Sequence, residues 1–134
     1  LRGMKILLDT HVWLWWLTAP EKLGDRTREY LADSGNELFL SAATSWELAI
    51  KHGIGRIRLP EDPKQFVLSR LERDRIDPLP ITHLHALKVA ELPHHHRDPF
   101  DRILVAQALE ESLLLCSVDH EIARYEVDIL DGRT

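Results

Sequence analysis

The sequence predicts an α/β fold built on a parallel sheet with helices on both faces. Three observations lead there. Short apolar runs of strand length alternate with segments of helical period, the pattern of strand–helix–strand units. The segment from Phe100 is apolar on most sides (Ile103, Leu104, Val105, Ala106, Ala108, Leu109), so it reads as a helix buried inside a layered core. Acidic residues stand where apolar runs give way to helix starts, and in parallel sheets sites form beyond the C-terminal ends of the strands. A chain of 134 residues suits one compact domain, and no repeat, low-complexity tract or long linker divides it.

In chain order, Leu1, Arg2 and Gly3 precede the first methionine and are set outside the fold, which is taken as residues 4–134. Lys5–Leu8 reads as a buried strand, followed by helices at His11–Leu17 and about Lys22–Asp33. Leu38–Leu40 is a second strand. Ala43–His52 is a helix that Gly53 and Gly55 stop, because turn and left-handed geometry cost glycine little. Arg56–Pro63 is a loop. Pro63–Arg75 reads as an amphipathic helix with Val67, Leu68 and Leu71 inward. Leu79–Ile81 is a third strand. Thr82 caps a helix that runs to Glu91 and ends before Pro93. Phe100–Glu111 (helix), Leu113–Cys116 (strand), His120–Tyr125 (helix) and Val127–Leu130 (strand) complete the pattern.

Composition narrows the function. The only cysteine, Cys116, lies in an apolar run and has no internal partner, which points to a reducing, cytoplasmic compartment. No apolar stretch approaches the roughly 20 residues of a membrane span, and no signal peptide is recognisable. The net charge of −5 is the wrong sign for a simple phosphate binder. Local basic clusters at Lys51–Arg58, Arg70–Arg75 and His94–Arg97 with Arg102 soften that objection, although a solvated surface explains them equally. The serines lack a nucleophile-elbow context, and there is no phosphate-cradling glycine loop.

The acidic residues carry the chemistry. Asp9 follows K-I-L-L, Glu47 lies in W-E-L-A-I-K, Asp98 and Asp101 lie in R-D-P-F-D-R, and Asp119 follows L-L-L-C-S-V. If the strands before Asp9 and Asp119 are neighbours, Asp9, Glu47, Asp101 and Asp119 meet at one sheet edge. Clustered carboxylates repel unless a cation lies among them, and Mg²⁺ or Mn²⁺ takes oxygen ligands. Each residue also has a plainer reading. Asp9, Asp98 and Asp119 fit helix N-caps, Thr44 and Glu47 fit a capping box, and Glu47 with Lys51 fits a surface i,i+4 pair. His94, His95 and His96 cannot easily all face one ion, and they read as structural or as weak substrate contacts.

The motifs L-L-D-T-H-V-W-L-W, W-E-L-A-I-K, R-D-P-F-D-R-I-L-V-A-Q-A and L-L-L-C-S-V-D resemble the PIN domain, and more narrowly the VapC-type toxins of toxin–antitoxin pairs. The resemblance implies a three-layer α/β/α sandwich whose sheet of about five parallel strands has the order 3-2-1-4-5. It implies a metal-dependent ribonuclease with Mg²⁺ or Mn²⁺ as cofactor and Asp9, Glu47, Asp101 and Asp119 as its acidic quartet. Asp98 is then auxiliary, with Thr10 and Ser117 as nearby hydroxyls. Lys51 and Arg102 are candidates for RNA phosphate contact. A homodimer and a cognate antitoxin are the implied partners, and Trp13–Trp16 is either part of the antitoxin groove or core. Two other classes compete. One is a catalytically silent PIN-like module that binds RNA or protein. The other is a phosphoryl-receiver domain, which needs a late lysine, whereas no lysine follows Lys88.

Overall fold

The computed structural model describes residues 3–134. Five strands form one all-parallel sheet: β1 (Lys5–Leu8), β2 (Glu37–Ser41), β3 (Asp77–Leu79), β4 (Leu114–Ser117) and β5 (Ile129–Asp131). Their order is β3-β2-β1-β4-β5, as expected. Six helices flank the sheet: α1 (Thr10–Thr18), α2 (Asp25–Ala32), α3 (Ala42–Gly53), α4 (Pro63–Asp74), α5 (His83–Lys88) and α6 (Pro99–Glu111).

The central strand explains the layering. Ile6, Leu7 and Leu8 are all fully buried, because helices cover both faces of a parallel sheet. Alternation along β1 sends Ile6 and Leu8 into one core with Trp13, Leu31, Leu48 and Phe66. Leu7 enters the other core, with Leu104, Val105, Leu115 and Ile122. Thus α1, α2 and α4 cover one face, and α6 covers the other.

Helix ends follow local chemistry. Ser41 caps α3 by accepting from the Ala43 N–H at 2.9 Å. At the other end the Arg56 N–H donates to the Lys51 carbonyl and the Gly55 N–H to the His52 carbonyl, with Gly55 at φ +73°. That is a Schellman closure, and it is why the chain turns at Gly55. Helix α6 ends on Ser112, whose φ of 55° is left-handed without glycine's freedom. Ser112→Gly is therefore expected to raise the urea midpoint, by about 0.5–1 kcal/mol of stability, with an unchanged slope.

Several boundaries differ from the sequence reading. The third strand is Asp77–Leu79, not Leu79–Ile81; a proline-bearing strand is tolerated because β3 is an edge. On α4, Leu68 is 56% exposed and Phe66 is buried in its place beside Val67. The expected Lys22–Asp33 helix divides into a 3-10 turn at Pro20–Lys22 and α2. The expected His120–Tyr125 helix is only a 3-10 turn at Ile122–Arg124, and the last strand begins at Ile129. Leu1 and Arg2 lie outside the described residues. Gly3, set aside with them, is tied to the fold through its N–H to the Gly35 carbonyl.

Candidate active site

Strand pairing assembles the acidic residues. Register partners Leu8 and Cys116 bring the ends of β1 and β4 together, so Asp9 emerges beside Ser117. The neighbour relation assumed from sequence is real. The Asp9 N–H donates to the Cys116 carbonyl at 3.0 Å, and the Ser117 hydroxyl donates to Asp9 Oδ2 at 2.6 Å. Ser117 Oγ in turn accepts from the Asp119 N–H at 3.0 Å. One hydroxyl thus links both strand-end aspartates.

Asp9 also caps α1, accepting at Oδ1 from the His11 N–H at 2.7 Å. Capping and clustering are therefore not alternatives here. Burial raises the Asp9 carboxyl above its usual range, against the lowering effect of the Ser117 bond and of His11. Glu47 is buried in the second turn of α3 and does not cap the helix. Its Oε1 accepts from Thr10 Oγ1 at 2.8 Å and its Oε2 from Lys51 Nζ at 2.6 Å. The capping-box reading of Thr44 and Glu47 fails, because the helix starts earlier, at Ala42 behind Ser41. Thr44 instead shares a hydrogen bond with Thr10.

The other side of the cluster comes from α6 and the loop before it. Asp98 caps α6 through the Phe100 N–H at 2.9 Å, with Pro99 as the first helical residue. Asp101 lies in the first turn. Burial, first, and then the Asp98, Asp9 and Asp119 carboxylates push its pKa up to about 7; His96 alone opposes them. His96 is the residue that the sequence did not single out. Its Nε2 lies 2.8 Å from Asp119 Oδ2 and 3.1 Å from Asp101 Oδ2. Burial disfavours an imidazolium there, but the Asp119 bond and the surrounding carboxylates outweigh it and raise its pKa. The Asp98 N–H opposes that tendency by donating to Nδ1 at 3.0 Å, which requires a lone pair on that nitrogen. Partial burial works against ionised Asp119, yet the His96 bond and the Glu121 and Ile122 N–H groups hold it below the usual range.

His96, Asp101 and Asp119 bring their ligating atoms within 4.8 Å of one another. Asp9 joins through Ser117, and Glu47 is hydrogen-bonded to Thr10, the residue after Asp9. The donor set is mostly hard carboxylate oxygen, and the raised Asp101 carboxyl marks a place short of positive charge. Both features suit a hard divalent cation.

One expected contact takes another position. Arg102 is buried, and its guanidinium donates to Pro93 O, Val89 O and Tyr125 Oη at 2.9–3.1 Å. It is committed to holding the histidine loop, not presented to a phosphate. Trp13 is core, edge-on to Phe66 at 5.8 Å, while Trp15 and Trp16 pack partly buried against the same cluster. Burial pushes the Cys116 thiol up to about 12, so it is no nucleophile. His95 packs edge-on against Tyr125, and His94 is exposed.

A model of the PIN domain matches residues 6–128. The chain is 30% identical to Ribonuclease VapC22 of Mycobacterium tuberculosis over 120 residues, covering 87% of this chain and 88% of that protein. It is 36% identical to Ribonuclease VapC16 of the same organism over 61 residues, 46% of this chain. That match spans only 43% of VapC16, less than half its length. The fold is similar to that in a crystal structure of VapBC2 from Rickettsia felis bound to a DNA fragment from their promoter. The TM-score is 0.71 at 16% identity, covering 95% of this chain and 98% of the other.

Proposed function

Because the chain belongs to the PIN-domain family, we propose that it is an endoribonuclease and the toxin of a toxin–antitoxin pair, with residues 4–134 as one nuclease unit. The observation that carries this reading is the convergence of Asp9, Asp101 and Asp119 at the ends of β1 and β4, with a carboxyl at about 7 among them. Similarity to proteins named as VapC ribonucleases supports RNA as the substrate.

Asp9, Asp101 and Asp119 would hold one or two Mg²⁺ or Mn²⁺ ions, which supply Lewis-acid stabilisation of the phosphate and lower the pKa of water. The protein's own part is positioning. Ser117 fixes the Asp9 carboxylate and the Asp119 backbone together. Thr10 and Lys51 fix Glu47, whose carboxylate would help orient the attacking water. Lys51, with 39% of its side chain exposed, is the cation available to a phosphate oxygen at the rim. Asp98 is auxiliary: it holds the start of α6 and so the direction of Asp101.

Two surfaces support protein partners. Trp46 and Ile50 on α3 and Ile54 at its C-cap repeat every four residues and are 40–63% exposed; Leu84 and Leu87 on α5 are 66–67% exposed. Trp46 shares a groove of about 430 Å³ with Ala86, Val89 and Ile103. Apolar exposure of this kind marks an interface, and we assign it to a second copy of the chain. The Trp46→Glu, Leu87→Glu double variant is expected to elute as a monomer, at half the wild-type mass by light scattering. Across the molecule, Leu14, Leu17, Ile57, Leu59 and Phe66 line a groove bordered by Arg58, Arg70 and Arg73. It suits an amphipathic, acidic antitoxin segment. No helix among the described residues is long and apolar enough to cross a membrane, and the single free cysteine supports a cytoplasmic site of action.

The test is cleavage of total RNA by purified, partner-free protein in Mg²⁺, Mn²⁺ or EDTA. Cutting that requires the metal is expected. RNA binding without cleavage in any divalent metal would replace the nuclease with a binding module.

A further inference from the structure

We infer that the His96 ring is the internal donor that closes the acidic cluster, and that a divalent ion enters only by displacing it. The inference rests on the metal-site reading above. The Nε2 N–H donates to Asp119 Oδ2 at 2.8 Å, and Asp101 Oδ2 lies 3.1 Å from the same nitrogen. The oxygens left for a ligand are few. Asp119 Oδ1 accepts from the Glu121 N–H at 2.8 Å, and the two oxygens of Asp9 accept from His11 N and Ser117 Oγ. On Asp119 that leaves Oδ2, and His96 covers it.

The ring is set as a donor, not as a ligand. The Asp98 N–H donates to Nδ1, so the single proton of the neutral ring is on Nε2. Ligation through Nε2 would move that proton to Nδ1 and leave two N–H groups facing each other. The mount is also purpose-built. The His96 N–H donates to Tyr125 Oη at 3.0 Å, Arg102 donates to the same hydroxyl at 3.1 Å and to Pro93 O, and His95 packs on the Tyr125 ring. A surface histidine in chance contact would have none of these supports.

Mn²⁺ binding to the purified protein without RNA tests this, by calorimetry and by pulsed electron paramagnetic resonance. His96→Ala is expected to bind Mn²⁺ about tenfold tighter or more, because the ion no longer competes with a hydrogen bond to ionised carboxylates. His96→Gln, whose amide N–H can keep one of those bonds, is expected to fall between. Wild-type protein with Mn²⁺ bound is expected to show no imidazole nitrogen coupling, a readout that needs no variant. Weaker or unchanged Mn²⁺ binding by folded His96→Ala overturns the inference, and so does an imidazole coupling in the wild type. If neither protein binds Mn²⁺, the metal reading falls with it. Tighter binding by a variant of a protein that cuts no RNA keeps the inference and removes the nuclease.

Discussion

Asp101→Asn is expected to abolish RNA cleavage while making the metal-free protein more stable at neutral pH. The loss in rate should be about 10²–10³-fold or more, as for removal of a group that acts on charge in the transition state. The gain in stability follows from the Asp101 pKa of about 7 in the folded chain, against 3.8 for an ordinary aspartate. Between those values the unfolded chain has released the proton and the folded chain still holds it. Stability therefore falls as pH rises from about 4 to about 7, because the native state binds more protons there. Asp9, also raised, adds to the same slope. Asp119, which is lowered, contributes the opposite way, with stability present above 3.8 and lost as the pH falls below it, so the two effects occupy different windows. Asparagine keeps the shape and removes the charge, which should flatten the slope between pH 4 and 7. Urea titrations at pH 5 and pH 7.5, with and without Mn²⁺, check this. Mn²⁺ should restore the wild-type protein at pH 7.5 and do little for the variant. An active Asp101→Asn protein would sink the assignment.

Trp13→Ala should be the most damaging single truncation, costing about 3–5 kcal/mol. Trp13 is the largest fully buried side chain, reaching from α1 to Phe66 on α4. That loss is a large part of the roughly 5–15 kcal/mol that holds a domain together. Its indole Nε1 is buried without a partner among the described residues, so the ring's polar edge adds nothing that phenylalanine would forfeit. Trp13→Phe should therefore cost only about 1 kcal/mol, the volume change alone. Denaturation followed by far-ultraviolet circular dichroism separates the two. Equal losses would show that the indole nitrogen has a partner after all.

The elements most legible in the sequence were those with the densest pattern. The runs of β1 and β4 and the apolar circumference of α6 have no rival reading, so their positions hold within a residue or two. β3 was displaced because three residues, with Pro78 among them and Pro80 after them, carry almost no periodicity. Leu68 was turned the wrong way because one helical step separates it from Val67, and only packing chooses between Phe66 and Leu68. Asp9, Asp101 and Asp119 were visible as strand-end and helix-start acids. His96 was not, since three consecutive histidines were weighed as a group of ligands, whereas a single ring enters the cluster as a donor. Arg102 was misread for a related reason. An arginine beside a candidate catalytic aspartate suggests phosphate, and only the structure shows its guanidinium donating to Pro93 O, Val89 O and Tyr125 Oη.

The order of the strands also sets a schedule. β1 lies at the centre of the sheet and pairs with β2 and with β4, which are far apart in the chain. Ser117 reaches Asp9 across 108 positions, while Glu47 meets Thr10 across only 37. During synthesis at about 5–20 residues per second, the roughly 70 residues from Glu47 to Ser117 put the second half of the carboxylate cluster roughly 3–14 s behind the first. A nascent chain that already carries Asp9 and Glu47 thus has no assembled centre until β4 docks. A centre of the kind proposed above is therefore absent from the nascent chain until β4 has emerged.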